Sequence, residues 1–334
     1  MNLQTRIQAF SKLGKYLEKD VFKLSADQLQ LAEIKNPWFT QRSIKRAVNA
    51  WQKLLTEKNI KSWLLPYSIT QSEKTKNILV VMAGNIPLVG FHDFLSVLIL
   101  GHRVIIKMSN NDNVLLKMII KELLNIAPAF YGKIAFIDNL KDNKFDAVIA
   151  TGSDNSAKYF QYYFKNTKQI IRKNKRSIAI IDGTESNLQL KGLADDVFAY
   201  FGLGCRNISK VFIKNGYDLN KLFDVFYPHK EIIEHKKYRN NYDYNKAVFL
   251  MGKNQLIENG FLLMKEDKSL QSPVAMLYYE YYDQMSTVEH FIEDNADQLQ
   301  CIISKKKTPF GYAQCPSLWD YADGIDTIEF LRNW

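Results

Sequence analysis

The run Ile78-Leu-Val-Val-Met-Ala83 is apolar at every position. Side chains alternate across a strand, so such a run is soluble only where both faces are covered, as in a parallel sheet flanked by helices. The rhythm then repeats. A helix is expected near Leu88 to Leu100, a strand at Val104 to Met108, a helix near Asn113 to Ile126 and a strand at Lys133 to Ile137,. A strand at Ala147 to Ala150 precedes a helix beginning near Ser153, and Ser177 to Ile181 closes the set. Alternation of this kind implies a doubly wound α/β sheet. Residues 1 to about 65 carry helical spacing instead, with Ile7, Phe10, Leu13 and Leu17 in one helix and Val48, Trp51, Leu54 and Leu55 in another, broken at Asn36-Pro37,. After Asp182-Gly-Thr, a helix near Leu188 to Phe201 opens a second α/β segment. That segment runs through Pro273-Val-Ala-Met-Leu-Tyr-Tyr and Leu299-Gln-Cys-Ile-Ile-Ser. The expected organisation is a helical cap with a nucleotide-binding domain over residues 1–182, a second α/β domain over 183–310, and a tail over 311–334 packing back near the site.

Charge and cysteine content narrow the partners. Forty-five Lys and Arg against 35 Asp and Glu leave a net charge of +10, which favours anions such as nucleotides or coenzyme A. The basic clusters, Arg172 to Arg176 and Lys305 to Lys307, are short, and zinc, RNP and P-loop signatures are absent, so nucleic acid is not an expected partner,. Three cysteines, Cys205, Cys301 and Cys315, lack metal-ligand spacing. No metal is expected, and a reducing, cytoplasmic setting follows. The most apolar stretch, Ile86 to Leu100, is interrupted by His92 and Asp93 and falls short of the roughly 20 residues a membrane span requires,.

The candidate nucleophile is Cys205, in Phe201-Gly-Leu-Gly-Cys-Arg-Asn-Ile-Ser-Lys-Val-Phe-Ile213. Gly202 and Gly204 let backbone approach a substrate closely, while Arg206 and Lys210 add positive charge that favours a thiolate. Three loops stand at the carboxyl ends of expected strands, where open α/β sheets bind ligands: Ala83-Gly-Asn-Ile-Pro87, Lys107-Met-Ser-Asn110 and Thr151-Gly-Ser153,. The last opens a helix, whose free N–H groups suit a phosphate. Without a GxGxxG, these loops by themselves indicate a nucleotide-binding sheet of unspecified kind. Taken singly, Asn85 is equally a turn cap before proline, Lys107 a solvated lysine and Cys205 a small buried hydrophobe.

In order and spacing, the three loops and Phe-Gly-Leu-Gly-Cys205 resemble the aldehyde dehydrogenase superfamily. The match is closest to the acyl-CoA reductase branch that includes the fatty acid reductase of bacterial luminescence. The end of the chain, Gln314-Cys-Pro-Ser-Leu-Trp-Asp-Tyr-Ala-Asp-Gly-Ile-Asp-Thr-Ile-Glu-Phe-Leu331, resembles the tail of that branch. The resemblance covers about residue 75 to the end. It implies an aldehyde-dehydrogenase-like fold, with a Rossmann-like cofactor domain and a second, catalytic α/β domain, and an enzyme that reduces an acyl thioester, extending to long-chain fatty acyl groups, to an aldehyde.

Carried over position by position, the resemblance makes Cys205 the acyl-carrying nucleophile and Asn85 the amide facing the oxyanion. Lys107 becomes the lysine at the adenosine ribose and Ser153 the serine at the pyrophosphate, with Ser109, Thr151 and Gly152 beside them. NAD-preferring members have a glutamate three residues after this lysine. Here that place is Asn110, so NADPH is the expected cofactor. The general-base glutamate of hydrolytic members is missing, with Arg172 nearest its place, and Ser269-Leu-Gln-Ser-Pro273 stands where the family has Glu-x-Phe-Gly-Pro. The acyl donor implied is acyl-CoA or an acyl-protein thioester handed over by an acyl-transferring partner, and a homo-oligomer is expected. Rival readings are a glutamyl-phosphate reductase, which shares the fold and the cysteine, and an inactive basic nucleotide- or nucleic-acid-binding relative. His92 and His102 are expected to be packed helix residues, Tyr278-Tyr-Glu-Tyr-Tyr282 a strand running to a sheet edge, and Cys301 and Cys315 structural.

Overall fold

The computed structural model describes residues 1–20, 26–69, 74–140 and 144–332. The chain forms two compact units, one of Met1–Asn174 with Ser317–Trp334 and one of Lys175–Pro316.

In the first unit the N-terminal helices are α1 (Leu3–Asp20), α2 (Ala26–Lys35), α3 (Gln41–Leu54) and α4 (Glu57–Leu64). Thr40 and Thr56 cap α3 and α4 by accepting from the amides of Ser43 and Asn59, which satisfies donors that a helix start leaves unpaired. Phe10 and Leu13 of α1 and Ile44 and Val48 of α3 are buried, as their helical spacing requires. The sheet follows: β1 (Asn77–Val81), α5 (Phe91–Ile99), β2 (Arg103–Lys107), α6 (Leu115–Ile126), β3 (Ile134–Phe136), β4 (Ala147–Thr151), α7 (Asp154–Tyr163) and β5 (Lys168–Arg172). All five strands are parallel, in the order β3-β2-β1-β4-β5. The direction of winding reverses between β1 and β4, and crevices for ligands form at such a point.

Helix α5 is buried along its whole length except at His92, and it carries a carboxylate into that interior. Asp93, 2% exposed, pairs with Arg172 at the end of β5, 4% exposed. The same guanidinium donates to Thr327 Oγ1 at 2.9 Å, in the terminal helix, Thr327–Arg332. The tail is fastened at other points of this unit as well. Trp63 Nε1 donates to the Tyr321 hydroxyl at 2.7 Å, Tyr67 Oη donates to Asp326 at 2.6 Å, and Lys168 Nζ donates to the Phe330 carbonyl at 2.6 Å. Burial and the neighbouring Asp326 push the Tyr67 phenol up to about 12, so it stays a donor at physiological pH.

The second unit contains β6 (Arg176–Ile181), α8 (Asn187–Phe198), β7 (Ile208–Lys214), α9 (Asn220–Phe226), α10 (Lys236–Met251), β8 (Ile257–Glu258), β9 (Leu263–Glu266), β10 (Met276–Tyr282), α11 (Met285–Asp294) and β11 (Leu299–Ile303). The terminal helix of the first unit is therefore α12. The order is β11-β6-β7-β10-β9-β8, parallel apart from the β8–β9 pair. Both faces are covered: Ala179 and Ile181 of β6 join one apolar cluster, Ile178 and Ile180 the other.

Two sequence expectations change. The strand at Ser177 to Ile181 does not close the first sheet; it pairs with β7 and β11, so the division falls between Asn174 and Lys175 and not after Asp182. The tyrosine strand β10 is interior, between β7 and β9, and does not lie at an edge.

Removing one partner of a buried ion pair strands the other charge, at a cost of about 3–5 kcal/mol. Arg172→Leu is therefore expected to lower the stability of the first unit by that order in urea unfolding. Asp93→Leu/Arg172→Leu recovers most of the loss, and a double variant as unstable as the sum of the singles would contradict the pairing.

Candidate active site

Register brings three candidate loops to one level of the first sheet. Val81 lies opposite Lys107 on one side and Ala150 on the other, so the loops carrying Asn85, Lys107 to Asn110 and Thr151 to Ser153 leave the sheet together. The first two touch. A Cβ on Gly84 would lie 2.5 Å from Ser109 Oγ, so only glycine permits this approach. Asn85 and Asn110 are exposed, and Lys107 and Ser109 are half-buried. Ser109 Oγ accepts from the Asn111 amide at 3.2 Å. Ser153 is the N-cap of α7, accepting from the Ser156 amide at 3.4 Å. Thr151 ends β4, and Gly152 packs so closely on Ser156 that a Cβ would come within 2.8 Å of it.

Two residues given no part at this edge by the sequence brace it. The amide of Asn36, 4% exposed, donates to the Gly84 carbonyl at 2.9 Å, so the Asn-Pro break between α2 and α3 also pins the Asn85 loop. Asp112, 8% exposed, has one carboxyl oxygen without a partner. Burial, opposed by a hydrogen bond from the Leu88 amide, pushes its carboxyl up to about 7.

The cysteine turn lies in the second unit. After α8 the backbone takes three successive left-handed residues, Tyr200, Phe201 and Gly202. Two of these are not glycine and cost about 1–2 kcal/mol each, so the turn needs fixing from outside. Asn207, 3% exposed, does this. Its Nδ2 donates to the carbonyls of Asp196 at 3.0 Å and Ala199 at 2.7 Å, and its Oδ1 accepts the Gly204 amide at 2.9 Å. One side chain thus ties the helix end before the turn to the residue preceding Cys205. The Cys205 carbonyl accepts from Ser177 Oγ at 2.9 Å, and the residue is half-buried. Beside the turn is a cavity of about 160 Å³, lined among others by Phe201, Gly204, Tyr238, Gln271, Ser272 and Met276. Ser269 to Pro273 therefore runs past the cysteine turn.

The charge expected around Cys205 is partly redirected. Lys210 is fully buried and donates to Glu280 Oε2 at 2.7 Å and to the Asp267 carbonyl at 2.6 Å, so its ammonium is spent on an ion pair with a half-buried carboxylate. Arg172 is held by Asp93 and Thr327 inside the first unit and serves as a structural tie. Among the described residues no group of His, Cys, Asp and Glu could hold a metal ion, and no helix is long and apolar enough to cross a membrane.

The raised Asp112 carboxyl has a pH consequence. The folded state holds this proton more tightly than the unfolded chain, so the stability it contributes is complete below about pH 4 and is lost as pH rises through about 7,. Asp112→Asn has no such loss. Its melting temperature relative to wild type is expected to climb between about pH 5 and about pH 8, and a pH-independent difference would refute the raised carboxyl.

A family model described as acyl-CoA reductase (LuxC) matches residues 16–225. No curated protein matches the chain. Among solved structures, aldehyde dehydrogenase 21 from Physcomitrella patens, in complex with the reaction product succinate, is similar at 12% identity with a TM-score of 0.67, over 91% of this chain and 74% of that one. An NAD+ complex of aldehyde dehydrogenase from Bacillus cereus gives 12% and 0.63, over 91% and 72%. The indole-3-acetaldehyde dehydrogenase AldA of P. syringae, as a mutant in complex with NAD+ and IAA, gives 11% and 0.63, over 91% and 72%. These likenesses establish an aldehyde-dehydrogenase-like α/β fold. The family match takes in more than half of the chain, including the three loops and the cysteine turn, and so the chain belongs to the acyl-CoA reductase (LuxC) family of aldehyde-related oxidoreductases.

Proposed function

We propose that this protein reduces an acyl thioester to an aldehyde, using NADPH and a covalent acyl-Cys205 intermediate. The observation that carries the reading is the half-buried Cys205 on a turn that Asn207 secures on both sides, with Gly204 and Asn207 of that turn lining a cavity. A fixed thiol is what covalent capture requires, because orientation of the reacting atoms replaces an entropic cost. The first unit is read as the cofactor-binding part and the second as the part that holds the acyl group.

The residues of the first unit fit a nicotinamide dinucleotide. Ser153, with the N-terminus of the ten-residue helix α7 and Thr151 and Gly152 before it, would hold the pyrophosphate. Lys107 and Ser109 would lie at the adenosine ribose. Asn110 puts a neutral side chain where a glutamate would repel a 2′-phosphate, and this supports NADPH over NADH. When bound, the cofactor supplies the hydride that reduces the acyl group.

The chain's own residues do the rest. The Cys205 thiolate attacks the thioester carbonyl, and the C–S bond to the donor breaks. The donor thiolate leaves and takes a proton from solvent. One thioester replaces another, so this exchange is close to balanced. The Asn85 amide and the Cys205 backbone N–H donate to the oxyanion, each worth roughly 3 kcal/mol in comparable sites. After reduction, collapse of the hemithioacetal expels the Cys205 thiolate and frees the aldehyde. With no general-base glutamate to activate water, the acyl-enzyme persists until it is reduced. The donor is acyl-CoA or an acyl-protein thioester brought by a partner, and we infer a cytoplasmic homo-oligomer.

Incubation with acyl-CoAs of several lengths and NADPH, following cofactor oxidation and intact mass together, tests the reading. Wild type is expected to oxidise NADPH and to show an acyl adduct, and Cys205→Ala to show neither; turnover surviving in Cys205→Ala would sink the mechanism. kcat/KM with NADPH is expected to exceed that with NADH by about tenfold, or about 1.4 kcal/mol. Asn110→Glu should reverse the order, and equal use of both cofactors by wild type would remove the NADPH assignment.

A further inference from the structure

The Asn85 loop is held at two points that bracket the asparagine. On its N-terminal side the Gly84 carbonyl accepts from Asn36. On its C-terminal side is Leu88, which is not glycine yet has a φ of 60° and is 3% exposed. A leucine stays left-handed only where its surroundings over-determine it, and the group that meets its amide is the Asp112 carboxyl.

Asp112 belongs to the other loop. It follows Lys107, Ser109 and Asn110, and its own amide donates to the Ser109 carbonyl at 3.2 Å. A Cβ on Gly84 would lie 3.4 Å from Asp112 Cβ and closer still to Ser109, so the two loops are in contact along this line. A buried carboxyl with one oxygen unpaired is costly to keep,. Neither the capture of the acyl group nor its reduction uses it.

We propose that Asp112 is a positioning residue: it holds the left-handed turn at Leu88 so that Asn85 points its amide at the oxyanion, and it links that loop to the loop assigned to the cofactor ribose. The inference rests on the reading of Asn85 as an oxyanion donor. Burial raises the carboxyl to about 7, so its neutral form is populated at physiological pH, and the acceptor it offers to Leu88 is one that an asparagine reproduces.

The test compares Asn85→Ala, Asp112→Ala, Asp112→Asn and the double alanine variant, with folding checked by thermal melting. Asp112→Ala is expected to lower kcat by about 10- to 100-fold with the KM for acyl-CoA little changed, since the lost interaction belongs to the transition state. Asp112→Asn restores most of the rate. The double variant is no slower than Asn85→Ala alone, because the aspartate acts through the asparagine. Hydrogen exchange at the Leu88 amide needs no turnover: it is slow in wild type and Asp112→Asn and fast in Asp112→Ala. Unimpaired Asp112→Ala beside a slow Asn85→Ala, additive losses in the double variant, or unchanged exchange at Leu88 each overturn the positioning role while leaving the reductase reading intact. Wild-type turnover in Asn85→Ala would instead remove the oxyanion assignment, and the positioning role with it.

Discussion

A carboxylate and a guanidinium share the dry interior of the first unit, and much of that unit's architecture depends on their meeting. Asp93 enters from α5, the helix that follows the Asn85 loop; Arg172 ends the last strand of the sheet; Thr327 completes the contact from the far end of the chain. Neither charge is tolerable there without the other. The pair therefore specifies where α5 lies along the sheet and requires the chain's last helix to return to it. An apolar helix packed on an apolar sheet can slide with little penalty, and an ion pair inside that contact removes the freedom.

The second unit solves a similar problem with hydrogen bonds. Two left-handed non-glycine residues before Cys205 are unfavourable by themselves, and the end of α8 leaves carbonyls unpaired. The side chain of Asn207 answers both needs, accepting from the Gly204 amide while donating to the Asp196 and Ala199 carbonyls. The cysteine follows at the next position, so its placement depends on a turn with little room to relax.

How much of this was legible depended on whether a residue's role was local. Apolar runs announced β1, β2 and β4, and the loops after them inherit their position from the sheet, so the placing of Asn85, Lys107 and Ser153 along one edge of the first sheet was legible. The glycine-flanked turn before Cys205 was legible as well. Strand β5 was missed because Lys168-Gln-Ile-Ile-Arg172 has only two apolar residues at its centre, a pattern an edge strand permits. The place of β10 was misjudged because tyrosines suit an edge and an interior equally, and strand order is decided by crossovers that no single strand encodes. Lys210 was expected to add charge at the cysteine because of its spacing, whereas Glu280 and the Asp267 carbonyl take up its ammonium. The bracing roles of Asn36, Asp112 and Asn207 were not legible because each is one polar residue whose meaning lies in a partner elsewhere. The one available signal was a polar side chain set among residues otherwise suited to a core.

Under the proposed function, the disposition of acids in the second unit bears on the chemistry at Cys205. Asp196, near the end of α8, is 1% exposed, and its two oxygens accept the amides of Gly311 and Ala313 at 2.7 and 3.0 Å. Glu280 is committed to the buried ammonium of Lys210. Both carboxylates are thus occupied as acceptors in the framework of the unit, whereas the proposed chemistry needs no base to activate water at Cys205. Under the proposed chemistry, an acyl group held there departs by reduction.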